Sequence, residues 1–167
     1  MATQAKKASF ESILNTPLSS IEPPKQIPSG SYVAMVLGPP PDEPSKASTG
    51  TQYYQFNLQL MQAEEDVNKV DLQTALTKMD GTVMALREKT LRSDRYYLTQ
   101  QSLFRLLKFF KDLGICDENG KAEDGTDLDI LEAVAMTPGR QVRIYVTHTT
   151  SPAGVLYANV TQTSPVV

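Results

Sequence analysis

The order of apolar patterns after residue 29 constrains this chain more than any other feature. Three runs suit extended strands, a helical block with apolar residues three and four apart follows, and two alternating runs then lead toward the C-terminus. Strand, strand, strand, helix, strand, strand is the segment order of a small, partly open Greek-key barrel. The expected fold is therefore mainly β, a five-stranded barrel with helices inserted between strands 3 and 4.

Each element has its own signal. Gly30 to Leu37 (GSYVAMVL) reads as strand 1 because its residues suit a pleated surface. Residues 38–50 hold Pro39, Pro40, Pro41 and Pro44 and form a long loop of the kind that touches ligand at a barrel rim. Thr51 to Gln62 alternates strictly, with Tyr54, Phe56, Leu58 and Leu60 on the core side. Residues 63–80 fit either an amphipathic helix on Val67, Val70, Leu72 and Leu76 or a long hairpin tip. Gly81 to Arg92 reads as strand 3, with Met84 and Leu86 inward and Arg87 and Lys89 outward, although its residues also favour helix.

Leu98 to Gly114 carries the strongest helix signal. Thr99 suits the N-cap, Leu98 can staple to Leu103, and Leu103, Leu106, Leu107, Phe110 and Leu113 form an apolar stripe. Gly114 ends the helix and lets Ile115 fold back on Phe110. A second short helix, capped by Thr126 or Asp127, points Leu128, Leu131 and Val134 inward. Arg140–Thr149 and Val155–Thr163 close the domain as a hairpin around residues 151–154. The domain spans residues 30–163. Residues 1–29 read as a flexible arm with a short turn at Phe10, Ile13 and Leu14, and residues 164–167 as a short tail.

Composition removes several function classes. The 167 residues suit one core, and a net charge of −3 argues against general coating of duplex DNA. A local basic groove with stacking aromatics remains compatible with binding single strands. The lone Cys116 forbids an internal disulfide, and the lone His148 reads as a structural histidine. The acidic loop from Asp117 lacks the glycine that a calcium-binding EF-hand loop needs at its sixth position, where Ala122 stands. No phosphate-cradling glycine motif and no nucleophile–base spacing is present. The expectation is a non-enzyme without metal or cofactor. No signal-like or membrane-spanning run appears, so an intracellular, soluble protein is expected, cytoplasmic in the host if viral.

The outward positions of the strands share one chemistry. Tyr53, Gln55, Asn57, Arg87, Lys89, Arg143, Tyr145, Tyr157 and Asn159 supply aromatic faces, amides and cations. These residue types stack bases, hydrogen-bond them and neutralise phosphates. Arg92 and Arg95, next to Tyr96 and Tyr97, extend the densest basic–aromatic stretch. The plainer reading is that these are ordinary solvent-facing strand residues, with the tyrosines packed on the following helix.

The entry Ile27–Val33, the alternating run Tyr53–Leu60 and the ending Gly139–Val146 with Tyr157–Val160 resemble the OB-fold single-stranded DNA-binding proteins of bacteriophages. The resemblance covers about residues 27–163 and lies in pattern, not in a short diagnostic motif. It implies sequence-tolerant, non-catalytic binding of single-stranded DNA in replication or recombination. It also implies partners among replication or recombination proteins and a possible homo-oligomer. Two family features are missing: the acidic tail and the overall basic bias. The alternative reading is a structural or interaction protein of a virus-like assembly.

Overall fold

The computed structural model describes residues 14–20 and 25–166. The turn expected at Phe10 and Ile13 lies outside the described residues. Among the described residues, eight strands and three α-helices follow one another: β1 Gly30–Val36, β2 Ser45–Lys46, β3 Gln52–Tyr54, β4 Asn57–Ala63, α1 Lys69–Leu76, β5 Thr90–Arg92, β6 Tyr96–Tyr97, α2 Leu103–Asp112, α3 Ile130–Ala135, β7 Gln141–Thr150 and β8 Leu156–Ser164.

Five strands form an antiparallel sheet in the order β5-β4-β1-β7-β8. Its outer strands β5 and β8 approach each other, so the sheet curls into a nearly closed barrel. The strand from the start of the domain thus lies between its second and fourth partners, which is the Greek-key connectivity of an OB-fold-like barrel. A smaller sheet, β2-β3-β6, stands beside it.

Alternation decides what the barrel encloses. Tyr32, Ala34 and Val36 from β1, Leu58 and Leu60 from β4, and Val142, Ile144 and Val146 from β7 are buried. The helix α2 adds an aromatic stack: Phe109 lies 5.1 Å from Phe56 and 4.9 Å from Tyr96, ring centre to ring centre. Such stacked pairs add stabilisation beyond the area they bury. At its C-terminus, close to Phe109, α2 closes with a Schellman motif. Ile115 N–H donates to the Phe110 carbonyl at 3.0 Å and Gly114 N–H to Lys111 at 2.9 Å. Gly114 has φ +75°, which glycine adopts without a Cβ penalty.

Several elements differ in extent from the sequence reading. The run 51–62 keeps its alternation but breaks into β3 and β4 at Gln55–Phe56. The third strand shrinks to Thr90–Arg92. Upstream, an Asp80–Thr82 turn with Gly81 at φ +85° and a 3-10 turn at Leu86–Glu88 take the backbone elsewhere. Of the two readings of residues 63–80, the helix is right, though Val70 points to solvent. The helix α2 starts at Leu103, not at Thr99, whose carbonyl instead accepts from Ser102 and Leu103 in a preceding turn. The amide of Leu98 is tied to Gln52 on β3. Asp129, not Thr126 or Asp127, caps α3, in a capping box with Glu132. That phase buries Ala133 and Val134 and leaves Leu131 exposed.

The chain entering β1 is fastened from several sides. A ring nitrogen of His148 donates to the Ile27 carbonyl at 2.6 Å, and the Tyr32 hydroxyl donates to Pro28 at 2.7 Å. Burial raises the Tyr32 pKa, with a smaller contribution from Asp66. Gly30 (φ +138°) leaves no room for a side chain, because a Cβ there would lie 2.7 Å from Val67. The Asp66 carboxylate accepts from the Ser31 N–H at 3.0 Å and from the Ser31 hydroxyl at 2.9 Å, and the Ser31 N–H lowers its pKa.

A carboxyl whose pKa is depressed by folding stabilises the fold above its unfolded pKa. That stabilisation is lost as pH falls through the folded value. Asp66→Ala should therefore cost about 1 kcal/mol at neutral pH, the low end for an exposed site. Urea unfolding measured at neutral pH and below the usual carboxylate range should show the gap between wild type and variant closing in acid. An unchanged gap would mean that the carboxylate charge contributes nothing.

Candidate nucleic-acid interface

The strongest cluster of binding chemistry forms where β3 leaves the barrel. Leu58 and Leu60 hold β4 in the core, and Tyr54 and Phe56 are buried with them. Tyr53, Gln55, Asn57 and Gln59 take the opposite phase and line the outer side. Asn57 faces Arg92 across the β4–β5 ladder, and Gln59 faces Thr90. Tyr53 faces Tyr97 across the β3–β6 ladder.

Ser93 makes this junction. Its amide donates to the Phe56 carbonyl at 2.8 Å, and its hydroxyl accepts from the Phe56 amide at 2.9 Å. The same hydroxyl donates to the Asp94 carbonyl at 2.8 Å, and the Gln55 side chain donates to the Ser93 carbonyl at 2.9 Å. Ser93 is itself buried. These bonds satisfy the backbone where the ladder is interrupted, so both chains can turn from one sheet into the other.

Beyond the junction the aromatic residues separate by phase. Tyr96 points inward against Phe109, and burial raises its hydroxyl pKa. Tyr97 points outward, 5.6 Å from Tyr53 with the rings tilted by 59°. The Arg95 guanidinium sits over the Tyr53 ring, 4.7 Å from its centre. The Tyr97 hydroxyl and then Tyr53 push the Arg95 pKa above its ordinary value. A cation held over a tyrosine face is pre-positioned.

Arg87 stands exposed on the 3-10 turn, and Lys89 ends that turn half-buried, out of phase with Thr90 and Arg92. Arg87, Lys89, Arg92 and Arg95 form no ion pair among the described residues. The carboxylates nearest in sequence are engaged: Asp94 pairs with Arg105, and Glu88 accepts from the Ala85 amide at 2.9 Å. Residues 87–95 thus hold four cations and two carboxylates, while Asp42 and Glu43 stand exposed ahead of β2, which pairs with β3.

The remaining predicted residues lie on the β7–β8 hairpin, separated from β4 and β5 by β1 in the sheet order. Tyr145 and Tyr157 are exposed on its outer side. Arg143 is paired with Glu64 at 3.1 Å, and the Asn159 amide donates to the Thr149 hydroxyl at 2.6 Å. The predicted residues thus form two groups. Tyr53, Gln55, Asn57 and Arg92 share one side with Arg95 over Tyr53, Arg87 stands on the adjoining turn and Lys89 falls on the opposite phase, while Arg143, Tyr145, Tyr157 and Asn159 belong to the hairpin.

Tyr97 is the functional candidate that the strand pattern did not single out. Adjacent tyrosines in a strand must face opposite ways, so one of Tyr96 and Tyr97 had to be outward. Deciding which required the position of α2. No group of acidic, histidine or cysteine side chains suited to a metal occurs among the described residues. No helix among them is long and apolar enough to cross a membrane. No protein-family model matches the sequence, and no curated protein matches it significantly.

Ser93→Ala should leave the buried Phe56 amide without its acceptor and cost about 1–3 kcal/mol in urea unfolding. A loss well under 1 kcal/mol would show that the junction does not depend on this hydroxyl.

Proposed function

We propose that this protein binds single-stranded DNA with little sequence preference and without catalysis, along the side carrying Tyr53, Tyr97 and Arg95. The observation that carries this reading is the Arg95–Tyr53–Tyr97 cluster on an OB-fold-like barrel, beside three further cations with no ion-pair partner among the described residues. Aromatic faces accept any base, which gives sequence tolerance, and cations follow the phosphates. Amides such as Asn57, facing Arg92, add hydrogen bonds along the track. The β7–β8 hairpin, with Tyr145 and Tyr157, offers a second contact for a longer strand. The resemblance to phage single-strand binders supplies the setting, replication or recombination, with replication or recombination proteins as partners.

Fluorescence anisotropy with labelled oligo-dT tests the reading. Affinity should fall steeply with salt, and Arg92→Ala and Arg95→Ala should each flatten the log–log slope by about 0.7. Tyr53→Ala should weaken binding by about 1–3 kcal/mol without unfolding the barrel. Replacing Tyr145 and Tyr157 together shows whether the strand continues onto the hairpin. Absent or salt-insensitive binding would overturn the proposal in favour of an interaction protein.

A further inference from the structure

The groove between α2 and α3 takes no part in the proposed DNA track. It encloses about 360 Å³ and is lined by Leu103, Phe104, Leu107, Phe110, Leu128 and Ile130, among others. Phe104 on its rim is 67% exposed, and Leu131 on α3 is 66% exposed. An apolar groove with large exposed apolar side chains beside it is an interaction surface, not scattered exposure.

Charge narrows the occupant. Residues 117–132, which close the groove, carry Asp117, Glu118, Glu123, Asp124, Asp127, Asp129 and Glu132 against one cation, Lys121. The Lys121 and Asn119 amides hold the Asp117 carboxyl below its usual pKa, and the Thr126 hydroxyl and amide do the same for Asp124. An apolar and basic segment suits such a site. The chain contains one with two cations and a single acid: Lys6 and Lys7, then Phe10, Glu11, Ile13 and Leu14, where the three- and four-residue spacing puts the three apolar residues on one side of a helical turn.

Reach and exposure decide between the chain's own groove and another's. Ile27 is fixed by His148. The 13 residue steps from position 14 to position 27 span up to roughly 43 Å, well beyond the radius of a domain this size. Leu14 is 69% exposed in the single chain, so it does not occupy its own groove.

We infer that residues 6–14 of one molecule dock in the α2–α3 groove of a second copy, with Phe10, Ile13 and Leu14 in the groove and Lys6 and Lys7 against the carboxylates of residues 117–132. The contact is heterologous: arm to groove, not patch to identical patch. It does not depend on the DNA-binding reading.

Sedimentation velocity of the full chain over a micromolar dilution series is the test. Wild type should associate with rising concentration, less so at high salt. Phe10→Asp and Phe104→Asp should each weaken association by about tenfold or more with an unchanged circular dichroism spectrum. Phe104 is exposed, so its replacement leaves the core intact. Mixing the two variants should restore association above that of either alone, because one keeps the groove and the other the arm. A wild type that stays monomeric throughout, variants that associate like wild type, or a mixture no tighter than its parts would each overturn the inference.

Discussion

The exchange of hydrogen bonds between Ser93 and Phe56 is the constraint on which the rest of the candidate interface depends. A strand that is interrupted inside a core leaves backbone donors and acceptors without partners, and each such group costs about 1–3 kcal/mol when buried. Here one serine supplies both a backbone donor and a side-chain acceptor to the same residue. The chain can therefore pass from the second sheet into the barrel at Gln55–Phe56, and leave it after β5 to pair in the second sheet again through Tyr96–Tyr97. Without that device, Tyr53 and Arg95 would have no common surface.

The aromatic stack at α2 fixes the direction of this departure. Phe109 packs on both Phe56 and Tyr96, one residue from each of the two segments that turn outward. Burying Tyr96 commits Tyr97 to the other side, where it meets Tyr53. The helical insert thus does more than cover one end of the barrel: its core contact sets which aromatic side chains stay outside. Packing on one side and exposed chemistry on the other are linked by the two-residue period of a strand.

Charge follows a similar local logic. The chain is acidic overall, but its carboxylates are unevenly placed along it. Residues 117–132, which line the groove beside α2, gather seven of them. Asp94 and Glu88, which lie within the basic stretch in sequence, are occupied by Arg105 and by the Ala85 amide. A net charge of −3 therefore coexists with a basic strip, and the two surfaces suit different partners.

The sequence by itself determined the barrel, its strand count, the core faces of β4 and β7 and the insertion of α2, because alternation and three-to-four spacing record directly which side meets apolar neighbours. It also placed Tyr53 and Asn57 on the outer face, but its register for strand 3 turned Lys89 outward, whereas the structure exposes Thr90 and Arg92 and half-buries Lys89. What only the tertiary structure decided was adjacency. The break at Gln55–Phe56 was invisible because Tyr54 and Phe56 keep the alternation of an unbroken strand. The cap of α3 moved to Asp129 because four competing polar residues, Asp124, Thr126, Asp127 and Asp129, all suit an N-cap and only packing selects one. Arg95 over Tyr53 and the division of the predicted residues into two groups depend on contacts between segments far apart in the chain. Local periodicity fixes which way a side chain points, but it has no information on what lies opposite.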